Sequence, residues 1–105
     1  MINGRVAGHH ALLELVVRSR TKLGSAVEFL IDTGFDGYLT LPPAAVQALD
    51  LPFLRRITAS LADGSTIHIS AYLATIRWDD QEREVEALAT GIQPLLGTLM
   101  LNGHQ

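Results

Sequence analysis

One tripeptide in this chain of 105 residues carries the groups that acid–base chemistry requires. Asp32-Thr33-Gly34 follows the mostly apolar run 27–31, which predicts that the carboxylate stands at the end of a strand. A carboxylate accepts and releases protons, a threonine hydroxyl donates and accepts hydrogen bonds, and a glycine lets another backbone approach closely. The same tripeptide also arises by chance as an ordinary strand-to-turn sequence, so its context has to decide between the two interpretations.

Histidine, cysteine and serine offer no second centre of this kind. His9 and His10 are adjacent, so on a strand they point to opposite faces, and His68 and His104 are not spaced as metal ligands. The sequence has no cysteine, which excludes disulfides, thiol catalysis and thiolate metal sites. It also has no glycine-rich phosphate loop and no nucleophile elbow around a serine. We therefore predict neither a metal site nor a cofactor.

Length and charge narrow the class of protein. A chain of 105 residues with 48% apolar residues has material for one modest core, so we predict a single domain over residues 1–105. A formal net charge of −3 with eight Lys and Arg residues argues against a nucleic-acid partner, and Arg55-Arg56 is interpreted as a solvated turn. No apolar stretch is long enough to span a bilayer and the start lacks a signal-peptide core, which predicts a cytoplasmic protein without a membrane partner.

Apolar and polar residues alternate along most of the chain, as is typical of half-buried strands. Asp63-Gly64-Ser65 separates two such runs and predicts a hairpin, since Gly64 can adopt a positive φ. The predicted elements are strands at 11–18, 26–31, 57–62, 66–74 with a further run to 78, and 83–89, a polar turn at 79–82, and short helices at 42–49 and 97–101. Together they predict a small, mostly β, barrel-like domain with one or two short helices.

Four segments follow one another along the chain: residues 30–37 (LIDTGFDG), 39–42 (LTLP), 61–65 (LADGS) and 94–98 (PLLGT). In this order they resemble the retropepsin-like aspartic proteases, and most closely their small prokaryotic group with the motif Asp-Thr-Gly-Phe. The active-site loop of that group matches residues 30–37, and residues 61–65 lie in the flap position. Together they extend from residue 30 to residue 98 of the chain. The resemblance implies a closed β-barrel of the acid-protease fold, with the segment around Leu95-Leu96-Gly97 packed beside the active-site loop.

The resemblance also implies an activity and a partner. An aspartic endopeptidase needs two aspartates facing one water molecule, whereas this chain has one Asp-Thr-Gly and no repeat of it. The expected enzyme is therefore a homodimer in which two Asp32 carboxylates, one per subunit, hold the water that hydrolyses a peptide bond. Thr33 is expected to hydrogen-bond across the twofold axis, and Gly34 completes the catalytic motif.

A peptide or protein is the substrate that the resemblance implies, with no cofactor. Phe35 and Asp36 are expected to contact it, Phe35 through an apolar side chain and Asp36 through substrate backbone amides. Ordinary turn chemistry is the alternative for the Asp36-Gly37 pair. Asp63, Gly64 and Ser65 are expected to form a mobile flap that closes over the substrate.

The sequence departs from the family in two places. Thr98 stands where retroviral enzymes carry an arginine, so the ion pair from that arginine to Asp36 is missing. The chain ends with Asn102-Gly103-His104-Gln105 where relatives run on into a strand that helps to build the dimer sheet, which leaves a shortened C-terminus and a different interface as alternatives. A second hypothesis of another class is a retropepsin-fold dimerisation or binding module that is catalytically weak or inactive.

Overall fold

A computed structural model describes residues 3–7 and 10–102, which form eight strands and two short helices. The elements in chain order are β1 (Asn3–Ala7), β2 (His10–Arg18), β3 (Ser25–Ile31), β4 (Leu39–Leu41), α1 (Pro43–Leu49), β5 (Phe53–Ser60), β6 (Thr66–Trp78), β7 (Gln81–Ala89), β8 (Leu95–Leu96) and α2 (Thr98–Asn102). The predicted mostly β class with short helices is confirmed.

Six of these strands close into a barrel. Neighbouring strands follow the order β1-β2-β3-β8-β4-β7-β6-β5, and β2 also pairs with β6 through Val17↔Ile76 and Arg18↔Thr75. That extra pairing joins the two sides of the sheet, so that β2, β3, β8, β4, β7 and β6 form a ring. β1 extends the sheet from β2, and β5 forms a hairpin with β6.

The barrel is filled by the apolar residues whose alternation predicted the strands. Leu15 and Val17 of β2 are buried while Val16 between them is exposed, because successive side chains of a strand point to opposite faces. The largest fully buried side chains come from strands on all sides and from α2: Phe29, Leu39, Leu41, Ile76, Leu96, Met100 and Val17. One contiguous core therefore lies inside the ring.

Several predicted boundaries need correction. β6 runs without interruption from Thr66 to Trp78, and the turn after it shrinks from the predicted 79–82 to Asp79-Asp80. Both aspartates have positive φ, 52° and 66°, as a two-residue type I′ turn requires. The polar residues after the turn are exposed positions of a strand, which a polarity pattern alone cannot separate from a loop.

The prediction of a solvated turn at Arg55-Arg56 is wrong. Both arginines lie in β5, which begins at Phe53. Arg55 pairs with Ala71 of β6 across the ladder, and its Nε donates a hydrogen bond to Glu86 Oε2 at 2.9 Å. The carboxylate of Glu86 raises the pKa of this guanidinium, chiefly through the side-chain hydrogen bond. A strand with an ion pair to β7 thus replaces the expected turn.

Two groups of sequence predictions fall on residues outside the described ranges. His9 and His104 lie there, as does the C-terminal segment 103–105. Of the described residues, none belongs to a helix that is both long and apolar enough to cross a membrane.

Candidate active site

The short strand β8 organises the end of the barrel at which Asp32 stands. β8 pairs in parallel with β3 through Leu30↔Leu95 and Ile31↔Leu96, and its other edge pairs antiparallel with β4. Leu96 is fully buried between the two. Because β3 ends at Ile31, the next residue, Asp32, lies just outside the sheet and beside β8.

Asp32 is held at this point by backbone hydrogen bonds on both sides. Its N–H donates to Leu96 O at 2.9 Å, and its carbonyl accepts from Phe35 N at 3.1 Å, which closes a tight turn. Its side-chain Oδ1 accepts a hydrogen bond from Gly34 N at 2.9 Å. The side chain is partly exposed, so an oriented carboxylate faces the surface at the strand end.

The turn before α2 binds the loop that follows Asp32. Gly97 N donates to Tyr38 O at 2.9 Å, Thr98 N to Phe35 O at 2.9 Å, and Leu99 N to Gly37 O at 3.2 Å. The first N–H groups of a helix have no partner within the helix, and the loop carbonyls take that place here. Three consecutive amides thus hold three carbonyls of the loop 35–38.

Two glycines in this cluster leave room that a side chain would fill. A Cβ on Gly97 would lie 2.2 Å from Gly37 O and 2.7 Å from Phe35 O, both backbone atoms. A Cβ on Gly37 would lie 2.6 Å from Cζ of the Phe35 ring. Among the described glycines, positive φ occurs at Gly64 and Gly91. Gly37 and Gly97 are therefore required by crowding and not by backbone conformation.

The hairpin tip between β5 and β6 has the turn chemistry that its sequence predicted. Gly64 has φ of 87° and its N–H donates to Leu61 O at 3.0 Å, while Leu61 N donates to Ser65 O at 2.8 Å. Asp63 Oδ1 accepts hydrogen bonds from Ser65 Oγ at 2.6 Å and from Ser65 N at 2.9 Å. These two bonds lower the pKa of the exposed Asp63 carboxyl, and the bond from the Ser65 hydroxyl has the larger effect.

The predicted site residues fall into two groups. Asp32, Thr33, Gly34, Phe35 and Asp36 share one loop at the end of β3, where Thr33, Gly34 and Asp36 are exposed.

The second group, Asp63, Gly64 and Ser65, forms the separate hairpin tip, whose hydrogen bonds given above join residues of that tip. The catalytic and substrate-binding roles assigned to both groups stay predictions.

Sequence reasoning missed three parts of this cluster. Gly37 belongs to the matched loop 30–37, but its crowding against the Phe35 ring was not predicted, and neither were the backbone hydrogen bonds of Tyr38 and Leu99. Each contributes through a backbone amide or carbonyl, or through the absence of a side chain, and such contributions leave no pattern in a single sequence. The motif Leu95-Leu96-Gly97 was the available signal, because it marked the segment that packs there.

The arrangement offers general acid–base chemistry through one carboxylate. Within residues 3–7 and 10–102, no group of three or more His, Asp or Glu side chains is arranged to hold a metal ion.

The fold is similar to that of a solved structure, the EIAV protease complexed with the inhibitor HBY-793. The two superpose with a TM-score of 0.66 at 18% sequence identity, over 89% of this chain and 86% of that chain. No protein-family model matches the sequence, and no curated protein matches it. At this identity the likeness establishes a shared architecture, so the chain has a retropepsin fold.

Proposed function

We propose that this protein is an aspartic-type endopeptidase of the Asp-Thr-Gly-Phe group of retropepsin-like proteases, and that it acts as a homodimer. The position of Asp32 carries the proposal. In a retropepsin fold, its carboxylate stands at the end of β3, partly exposed, with Oδ1 held 2.9 Å from Gly34 N. A carboxylate oriented by the backbone and open to solvent on one side is suited to bind a water molecule.

A second copy of the chain completes the site in this proposal. Each chain has one Asp-Thr-Gly, and aspartic proteolysis needs two carboxylates. Thr33 and Gly34 are exposed beside Asp32 in the single chain. A twofold axis beside these residues brings the two Asp32 side chains together, with Thr33 hydrogen-bonded across the axis.

The chemistry follows from two like charges placed side by side. Two neighbouring carboxylates do not both ionise readily, so the pair shares one proton. The ionised Asp32 takes a proton from the water as it attacks the peptide carbonyl. The protonated Asp32 of the other subunit donates a hydrogen bond to the carbonyl oxygen, and the leaving amine is then protonated.

The substrate in this proposal is a peptide or an unfolded segment of a protein. Phe35 and Asp36 follow the catalytic residues directly, and the hairpin tip 63–65 acts as the flap that closes over the bound chain. The tip suits movement, because a Cβ built on Gly64 meets no atom within 4 Å. The cytoplasmic location and the absence of a nucleic-acid partner remain predictions from the sequence.

Replacement of Asp32 tests the proposal directly. Asp32→Asn keeps the size of the side chain and removes its acid–base function, so cleavage of a fluorogenic peptide library is expected to disappear while the fold is retained. Asp50→Asn is a matched control. This exposed aspartate caps α1 with φ of 55°, a conformation that asparagine tolerates, and its replacement should leave cleavage intact.

Mixing the two proteins distinguishes a shared site from a site within one chain. If wild type and Asp32→Asn are mixed in equal amounts and their subunits exchange freely, about one quarter of the dimers keep both carboxylates. The activity should then fall to about one quarter of that of wild type at the same total protein concentration. A fall to one half would indicate that each chain acts alone. A dimeric wild type that cleaves none of the library would favour the dimerisation or binding module.

A further inference from the structure

We propose that Phe35 is a positioning residue, whose ring wedges the catalytic loop against the turn at Gly97 and so fixes the direction of the Asp32 carboxylate. This inference rests on the proposed peptidase function. It assigns Phe35 a role in the rate of the reaction, separate from the substrate contact predicted for it from the sequence.

The ring of Phe35 packs onto the two glycines of the site. The three atoms nearest to a Cβ built on Gly37 all belong to this ring, with Cζ at 2.6 Å and Cε1 at 2.8 Å. A Cβ built on Gly97 would meet ring atom Cδ2 at 2.6 Å. The ring therefore occupies the volume that side chains at both positions would need. A close-packed contact of this kind admits few alternative arrangements of the loop.

The backbone of Phe35 connects that contact to the catalytic residue. Its N–H donates to Asp32 O at 3.1 Å, and its carbonyl accepts from Thr98 N at 2.9 Å. Asp32 and Phe35 thus close one turn, within which Gly34 N orients the Asp32 side chain at Oδ1. Displacement of the ring shifts Phe35, and through it the turn that carries the carboxylate. Small displacements matter, because a misplacement of roughly 1 Å can cost about 100-fold in rate.

A positioning role and a substrate contact differ in the kinetic constant that they change. Loss of a contact made equally with substrate and transition state raises KM, whereas a misdirected carboxylate lowers kcat. Phe35→Ala is therefore expected to lower kcat roughly 10- to 100-fold with KM within about threefold of wild type. Phe35→Leu, which keeps an apolar side chain of intermediate size, is expected to restore part of that loss.

Gly37→Ala displaces the ring without removing it. The substitution is compatible with the backbone, because Gly37 is not among the glycines with positive φ, and its Cβ meets the far end of the Phe35 ring. It should lower kcat in the same direction as Phe35→Ala. In the double variant Phe35→Ala/Gly37→Ala the new Cβ has no ring to meet, so kcat should be no lower than in Phe35→Ala alone.

Phe53→Ala is the matched control, since this phenylalanine is 57% exposed in β5 and contacts the ring of Tyr72. It is expected to keep both kcat and KM. A Phe35→Ala variant with raised KM and unchanged kcat would overturn the proposal in favour of a substrate contact. Independent, multiplied losses from Phe35→Ala and Gly37→Ala would overturn the packing on which it rests.

An NMR measurement that does not depend on peptide cleavage tests this inference separately from the proposed function. The through-hydrogen-bond NMR coupling between the Gly34 amide nitrogen and the Asp32 carboxyl carbon reports the hydrogen bond to Asp32 Oδ1, independently of the ring current that Phe35 exerts on its neighbour. The coupling should weaken in both Phe35→Ala and Gly37→Ala but not in Phe53→Ala. If wild type cleaves no peptide and the coupling weakens as expected, the peptidase proposal fails while the positioning of Asp32 by Phe35 stands. If wild type cleaves and neither kcat nor the coupling responds, the inference fails alone.

Discussion

Two loops of this protein depend on glycine for opposite reasons. Gly97 stands where a Cβ would lie 2.2 Å from a backbone oxygen, whereas a Cβ on Gly64 would meet nothing within 4 Å. Gly64 instead adopts φ of 87°, a conformation that side chains disfavour. Gly97 is required because there is no space for a side chain, and Gly64 is required because its backbone has a positive φ.

The loop beside Asp32 and the hairpin tip also differ in how firmly they are held. The carbonyls of Phe35, Gly37 and Tyr38 are bound by amides from a distant segment of the chain, so the loop beside Asp32 can move only if several contacts break together. The hairpin tip 61–65 is held by bonds within itself, and its residues are exposed. Local opening requires least free energy where few contacts are buried, so we expect the tip to be the more mobile region.

Gly97→Ala should have the largest effect on stability. The atoms that its Cβ would meet include the backbone oxygens of Gly37 and Phe35, which cannot withdraw without releasing the hydrogen bonds of the loop. We expect the free energy of unfolding to fall by about 3 kcal/mol or more, a large fraction of the stability of a small domain. Urea denaturation measures this change, with Gly64→Ala as the uncrowded control. A Gly97→Ala variant as stable as wild type would contradict the crowding at this site.

Gly64→Val should cost less stability and, if the tip is a flap, more activity. A β-branched residue resists φ of 87°, at a strain of about 1–2 kcal/mol, but no core contact is lost. The urea midpoint should therefore change modestly while kcat/KM for a peptide falls. Gly64→Asn is the matched control, because asparagine tolerates positive φ better than valine.

Hydrogen exchange tests the same contrast in the unmodified protein. The amides of Gly64 and Ser65 should exchange much faster than those of Gly97 and Thr98, and a bound peptide analogue should slow the first pair. If, in the absence of a ligand, the amides of Gly64 and Ser65 exchange as slowly as those of Gly97 and Thr98, the flap assignment is wrong.

Ser65→Ala should have the smallest effect, confined to the tip. The Ser65 hydroxyl is the first cause of the lowered pKa of Asp63, so its removal should raise that pKa toward the usual carboxyl range. Because the folded-state pKa is lowered, the associated stability is present above the unfolded-state pKa and is lost as pH falls through the folded-state value. The carboxyl group is fully exposed, so the change in stability should be slight.

An NMR titration of the Asp63 carboxyl carbon measures the shift, and Ser65→Thr, which keeps a hydroxyl, is the control. An unchanged pKa in Ser65→Ala would show that the hydroxyl bond is not maintained in solution.

The sequence alone predicted the elements whose side chains alternate over many residues. β2, β7 and the β5–β6 hairpin follow from a period of two, and β3 follows from its apolar run. The positive φ of Gly64 follows from the short turn that joins the two strands of the hairpin. Asp32 was recognised for the same local reason, since an apolar run followed by Asp-Thr-Gly predicts a carboxylate at a strand end. Local patterns were sufficient there because each depends on neighbours in the chain.

Tertiary structure alone decided how those elements close around Asp32. β8 has two residues, too few for any period, and it is a strand because β3 and β4 supply hydrogen-bonding partners on both of its edges. The β2–β6 pairing that completes the barrel joins residues far apart in sequence, and no local preference encodes it. The resemblance placed Gly97 beside the active-site loop, but the atoms that exclude a side chain at Gly37 and at Gly97, the Phe35 ring and nearby backbone oxygens, are known only from the tertiary structure, because crowding is a property of the assembled fold.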